Sequence, residues 1–314
     1  MSKNFEKICR MSQEDLKKYA ARRLKNTHRE VISEDGFVYA KGTFPVLLVA
    51  HMDTVHDKLP TFIVHEQNND VLSSPNGIGG DDRCGVYMIF RIIQKYNCSV
   101  LFCEDEEIGA VGADKFTKSI YSYGIEFNYI IEFDRKGNND AVFYECANDD
   151  FEDFITKEFF QTAYGSFSDI SVLAPHLGCA AVNLSCGYYN AHTKSEYVVL
   201  SEMEEVIINA CKILERTTED DKFDYIEAPR KWRYYGNGNY VGSYGGGWTN
   251  YEVDEDDFVE NYYIIEYVTE RGDTEWYDTT AISKAEAIGL FCQDHPDTCY
   301  NDIIDITVTP AYLV

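Results

Sequence analysis

The chain has 314 residues, 45% hydrophobic and 14% aromatic, which suits one large domain or a large and a small one and rules out global disorder. Its formal net charge of -26 (54 acidic against 28 basic residues) repels phosphate backbones and argues against nucleic-acid binding. No stretch is apolar for long enough to span a bilayer. The opening MSKNFEKICRMSQED lacks the apolar core of a secretion signal, and the ten cysteines form no C-x-x-C pairs, so a cytoplasmic chain with reduced core thiols is expected.

Ser12 followed by Asp15, with Leu16, Tyr19, Ala20 and Leu24 on one face, predicts an amphipathic helix. Val31–Ile32 and Phe37–Tyr39 flank a Glu-Asp-Gly turn and read as a hairpin. The apolar run from Val46 to Ala50 reads as a buried parallel-type strand. A second hairpin is expected from Phe62–Val64 and Val71–Ser73. Next come the glycine-rich loop NGIGGDDRCG and a helix from about Val86 to Tyr96. Strands are predicted at Ser99–Cys103, Tyr129–Phe133 and Cys179–Leu184, with helices at Asp149–Ala163 and Ser201–Glu215. Strands alternating with helices point to an α/β three-layer sandwich with a mostly parallel central sheet.

Composition shifts near residue 217. Residues 217–258, rich in Gly, Tyr and Asp, are expected to form a linker or irregular wrap between a domain of residues 1–216 and a module of residues 259–314. Within that module Tyr262–Val268, Thr274–Tyr277, a helix at Ser283–Gln293 and a strand at Ile303–Val308 suggest a small α+β (ββαβ) unit.

Chemistry-bearing residues collect where the predicted strands end, which is where open α/β sheets bind ligands. The first strand delivers His51 and Asp53, which alternation points to one side, as suits a metal-ligating imidazole backed by a carboxylate. Asp81 follows Gly79-Gly80, Glu106 and Glu107 follow the strand ending at Cys103, Asp134 ends the next strand, and His192 lies in GYYNAHTKSE. Taken singly, Asp81 also suits a helix N-cap, the two glutamates a helix first turn, and Asp134 and His192 ordinary structural roles. Together they are the ingredients of a site for two divalent metals.

The motifs H-x-D-T-V, G-G-D-D-R-x-G, D-E-E-x-G, a strand-terminal F-D and N-x-H-x-x-x-E occur in one order over residues 45–215. That order resembles the co-catalytic zinc exopeptidases related to peptidase T, glutamate carboxypeptidase and the bacterial zinc aminopeptidases. The resemblance implies two Zn2+ ions, with Co2+ or Mn2+ as substitutes: one held by His51 and Asp134, the other by Glu107 and His192, with Asp81 bridging. It further implies Glu106 as general base, Asp53 orienting His51, and a cis peptide between Asp81 and Asp82. Asp169 in SFSDIS matches a Ser-Asp pair near the substrate in relatives, although it also suits an N-cap. Tyr188, Tyr189 and Asn190 are candidate substrate contacts, Glu196 a supporting residue, and Arg83 a partner for the carboxylates. With about 30 residues between His51 and Asp81 and about 58 between Asp134 and His192, the lid domain common in the family has no room.

The expected activity is a di-zinc hydrolase cleaving an amide bond, an aminopeptidase on short peptides. An N-acyl amidohydrolase acting on an acylated small molecule, or a carboxypeptidase, would use the same metals. A metal-binding interaction protein is the rival from another class, and it has no need of the base Glu106. No membrane partner is expected, and the oligomeric state is left open.

Overall fold

The computed structural model describes residues 2–66, 70–228, 261–268, 274–281 and 303–309, which fall into two compact units. The first is built on an eight-stranded sheet. Its strands are β1 (Glu30–Glu34), β2 (Phe37–Lys41), β3 (Phe44–His51), β6 (Cys98–Cys103), β7 (Tyr129–Arg135), β8 (Asp140–Val142), β9 (Gln161–Ala163) and β10 (Ala181–Ser185), in the order β1-β2-β6-β3-β7-β10-β8-β9. The central run β6-β3-β7-β10 is parallel throughout, and β1-β2 is the expected antiparallel hairpin.

Period-two alternation divides the core into two layers. Val46, Leu48 and Ala50 of β3 pack on one face beneath α1 (Ser2–Cys9), α3 (Gly80–Ile92) and α7 (Leu200–Arg216). Leu47 and Val49, with Ile130 and Leu101, face the other way, toward α4 (Val111–Thr117) and α6 (Asp169–Leu177). Sheet between helical layers is the three-layer arrangement expected from the sequence. The helix predicted at Ser12–Lys25 is α2 (Gln13–Leu24), whose Ser12 hydroxyl accepts from the Asp15 amide at 3.1 Å. Among the described residues no helix is long and apolar enough to cross a membrane.

Several elements differ from expectation. Helix α1 is an addition to the expected elements, although Phe5, Ile8 and Cys9 fall three and four residues apart on one face; all three are buried, and Phe5 stands edge-on to Tyr87 at 5.6 Å. The helix predicted over Asp149–Ala163 stops at Thr156 as α5 (Asp149–Thr156). Gln161 then donates to the Asn139 carbonyl at 2.8 Å and starts β9 as an edge strand, so sheet pairing overrides helical propensity there. A second, antiparallel sheet was legible only at its hairpin, β4 (Val64–Glu66) and β5 (Val71–Ser73). β11 (Tyr188–Tyr189) and β12 (Tyr197–Val199) join it in the order β11-β12-β5-β4.

Residues 217–228 run back along this unit through bridges of Glu227 to Cys146 and Asp224 to Cys179, with the Phe223 ring 5.2 Å from Phe151. The second unit is an antiparallel sheet of β13 (Asn261–Val268), β14 (Thr274–Ala281) and β15 (Ile303–Thr309), in the order β14-β13-β15. The helix expected at 283–293 and most of the Gly/Tyr-rich stretch lie outside the described residues.

Candidate metal centre

Parallel strands β3, β6 and β7 end side by side, so the residues at their C-terminal ends converge. His51 is the last residue of β3 and pairs across to Cys103, the last of β6. Alternation along β7 sends Glu132 and Asp134 to the face that His51 occupies, and His51 Nε2 lies 3.4 Å from Asp134 Oδ1. Asp81 sits between the two sequence-predicted groups. Its Oδ1 is 3.1 Å from His51 Nε2, and its Oδ2 is 3.1 Å from His192 Nε2, which is itself 3.2 Å from Glu107 Oε1. Donor atoms of His51, Asp81 and Asp134 lie within 4.8 Å of one another, as do those of Asp81, Glu107 and His192. All five sequence-predicted ligands are therefore brought together, and Asp81 belongs to both groups.

Local structure explains how each side chain is presented. Asp53 faces Nδ1 of His51 at 3.1 Å, and its oxygens also accept the amides of Glu106 (3.1 Å) and Glu107 (3.0 Å). One carboxylate thus joins the end of β3 to the loop after β6. In that loop Glu104 pairs with Lys17, and Asp105 accepts from the Gln13 side-chain amide at 2.9 Å, which leaves Glu106 and Glu107 for the site. Asp81 and Asp82 have non-helical backbone angles although they lie at the start of α3, and the peptide between them is cis, as the resemblance implied. Gly85 permits the next turn of α3 to pass close to β7: a Cβ there would lie 2.0 Å from the Phe133 carbonyl oxygen.

The electrostatics are dominated by buried acids. Burial alone would raise the Asp81 carboxyl, but its hydrogen bonds with His192 and His51 hold it well below the usual carboxylate range. Asp134 is pushed up to about 7 by burial, with the neighbouring Asp81 charge adding and His51 opposing. Glu106 rises to about 8, again through burial first, with Asp134, Glu107 and Asp81 reinforcing against His51. His192 is raised to about 10 by its hydrogen bonds to Asp81 and Glu107. So many carboxylates around two imidazoles require compensating positive charge. Glu107 Oε1 meets no donor but His192 Nε2, which Asp81 Oδ2 shares, so the donor set fits divalent cations.

Other expected residues belong to neither donor group. Arg83 is buried but gives its guanidinium to backbone carbonyls of Met52, Asp53 (2.7 Å) and Met11 (3.2 Å) rather than to carboxylates, because its helix points it under the β3 end. Asp169 is fully buried at the start of α6 and is raised to about 7 by burial, with His51 opposing and the Glu106 charge adding. Tyr188 is also buried, and its hydroxyl donates to the Asp134 carbonyl at 3.1 Å. Tyr189 points to the opposite face of its strand, donating to Glu202 at 2.5 Å and stacking on Tyr197. Asn190 is exposed and closes the turn that carries His192, its carbonyl accepting from the Thr193 hydroxyl at 2.7 Å.

Sequence reasoning missed several supporting residues. Asp82 is fully buried, and its carboxylate accepts the amides of His51 (3.2 Å) and Gly85 (2.8 Å). Asn183 accepts from the Asp134 amide at 2.9 Å and donates back to its carbonyl at 3.2 Å. Glu132, buried with the Ser168 hydroxyl on one oxygen, was readable as a lone charge inside the apolar run YIIEF.

No family model matches the sequence, and no curated protein does. Solved structures do match. Aminopeptidase PepT from Bacillus cereus aligns over 68% of this chain and 96% of its own, at 14% identity and a TM-score of 0.54. Aminopeptidase APDkam598 from the archaeon Desulfurococcus kamchatkensis aligns over 70% and 95%, at 15% identity and 0.56. A tripeptidase from Staphylococcus aureus aligns over 67% and 96%, at 11% identity and 0.53. The resemblance first visible in the motifs thus extends to the architecture, and this chain shares the fold of these peptidases.

Proposed function

We propose that the protein is a di-zinc metallohydrolase cleaving an amide bond, an aminopeptidase acting on short peptides. The observation that carries this reading is the pair of donor groups sharing Asp81, with Glu106 adjacent in the chain to Glu107 yet a member of neither group. His51, Asp81 and Asp134 would hold one ion, and Asp81, Glu107 and His192 the other. Three protein donors per ion leave a position open, which distinguishes catalytic from structural zinc sites. Two such ions supply Lewis acidity, acidifying water and polarising a substrate carbonyl.

The chain's own groups do the rest. Asp53 fixes the His51 ring and, through the Glu106 and Glu107 amides, the loop that carries base and ligand together. Glu106 takes a proton from the attacking water and delivers it to the departing amine. Its elevated pKa, about 8 without cations, falls as positive charge arrives nearby, toward the range in which a carboxylate both accepts and releases a proton near neutrality. The peptidase fold of the structural neighbours supports the substrate class.

The test combines metal analysis with a fluorogenic panel of aminoacyl substrates and their N-acetylated counterparts. Two equivalents of divalent metal and hydrolysis confined to free-amine substrates are expected, with Glu106→Ala retaining metal and losing turnover. Preference for the acetylated series would replace aminopeptidase by deacylase. An Ala variant at Glu106 with normal hydrolysis would end the mechanism.

A further inference from the structure

Glu196 is fully buried, and both of its carboxylate oxygens are used. Oε2 accepts the Gly79 amide at 2.7 Å and faces His56 Nε2 at 2.7 Å, while Oε1 accepts the amide of Asp81 itself at 3.0 Å. The surroundings are shaped for this clasp. Gly77 lies at φ +88°, and a Cβ on it would stand 2.1 Å from the His56 ring. A Cβ on Gly80 would come within 2.8 Å of Val198 and 2.9 Å of Tyr188.

Three loops meet at this one side chain. His56 lies on the segment that follows His51, Gly79 and Asp81 lie on the loop entering α3, and Glu196 lies on the turn that carries His192. That turn is closed by the Thr193 amide on the Asn190 carbonyl (3.3 Å) and the Glu196 amide on the Thr193 carbonyl (3.2 Å). It presents His192 outward, 54% exposed, and Glu196 inward. His51 and Asp134 are held by sheet strands, whereas Glu107 and His192 sit on loops. Both groups share Asp81, but the first keeps two strand-held donors without it, whereas the second is left with two on loops, and the Asp81 backbone is fixed by Glu196.

Resting on the metallohydrolase reading, we propose that Glu196 is the positioning residue that makes the two donor groups fill as a pair. Without its carboxylate the buried amides of Gly79 and Asp81 lose their acceptor, Asp81 is no longer held toward His192, and the loop-borne site weakens while the strand-borne site persists. Partners of this kind are worth about 10- to 100-fold in metal affinity.

The experiment titrates metal-free wild type, Glu196→Gln and His56→Ala with Co2+. Visible absorption reports ligand geometry, elemental analysis after dialysis gives stoichiometry, and thermal melts check the fold of each metal-free protein. Wild type should bind two equivalents. Glu196→Gln should keep one and bind the second about 10- to 100-fold more weakly, with an altered spectrum for that ion. His56→Ala, which removes one of the three hydrogen bonds on the carboxylate, should show a smaller loss at the same site. A purely structural role would lower the melting temperature and leave both affinities alone, so Glu196→Gln with two wild-type affinities overturns the proposal. If Glu196→Gln does not fold, His56→Ala with unchanged affinities overturns it instead. Wild type binding fewer than two ions would overturn the metallohydrolase reading, and this inference with it, which separates the two failures.

Discussion

Asp53→Asn isolates how much of the centre depends on a residue that ligates nothing. Its Oδ1 takes both His51 Nδ1 and the Glu106 amide, and its Oδ2 takes the Glu107 amide at 3.0 Å. Asparagine keeps one acceptor oxygen and replaces the other by an NH2. If the oxygen stays toward His51, the NH2 meets the Glu107 amide donor to donor, and if it flips, His51 and Glu106 lose their acceptor together. A hydrogen bond to a charged acceptor is worth about 1.5–3 kcal/mol, and leaving its buried donor unpaired adds to the cost. About 2–3 kcal/mol charged against the ligating arrangement corresponds to a loss of roughly 30- to 100-fold in metal affinity, at 1.4 kcal/mol per tenfold. A chelator-competition titration of wild type and variant reads this directly, with a melt of the metal-free protein as the control for folding. Wild-type affinity in a folded Asp53→Asn variant would refute the claim that this carboxylate organises the His51 and Glu106–Glu107 segments.

Four further outcomes follow from the geometry. Glu106→Gln should bind metal normally and lose about 100- to 10,000-fold in kcat, checked by elemental analysis and steady-state kinetics on one sample. Gly85→Ala must displace either α3 or the β7 carbonyl that would lie 2.0 Å from the new Cβ, so melting should show a loss of about 1–3 kcal/mol, accompanied by weaker metal uptake. Tyr188→Phe removes the hydroxyl 3.1 Å from the Asp134 carbonyl and should cost about 1 kcal/mol in the same melts. In the metal-free protein His192 is raised to about 10 by Asp81 and Glu107, so its contribution to stability is present below the unfolded value near 6.5 and is lost as pH rises toward 10. Metal must displace that proton, so affinity should climb with pH over the same interval. Calorimetry in two buffers of different ionisation enthalpy should register the proton release.

The strands that carry the centre, and the residues at their ends, were legible before the fold was known. Val46–Ala50, Ser99–Cys103 and Tyr129–Phe133 are apolar but for Ser99 and Glu132 because both of their faces are buried, and a polar residue at the end of such a strand stands out against that background. His51, Asp134 and the Glu106–Glu107 pair were therefore legible, as were the glycines that free the backbone before Asp81. Elements defined by pairing with distant segments were not. β9 is a strand because Asn139 offers it an edge, and β11–β12 exist because β5 lies beside β12. The same holds for the residues expected to meet substrate. Motif position cannot tell that Asp169 and Tyr188 are buried or that Tyr189 turns toward Glu202, because solvent access depends on what covers a residue, not on its neighbours in the chain. That Asp53, Asp82, Asn183 and Glu196 accept backbone amides of the candidate ligands and their neighbours follows from the folded arrangement alone. A hydrogen bond between segments as far apart as residues 81 and 196 leaves no local signal at either end.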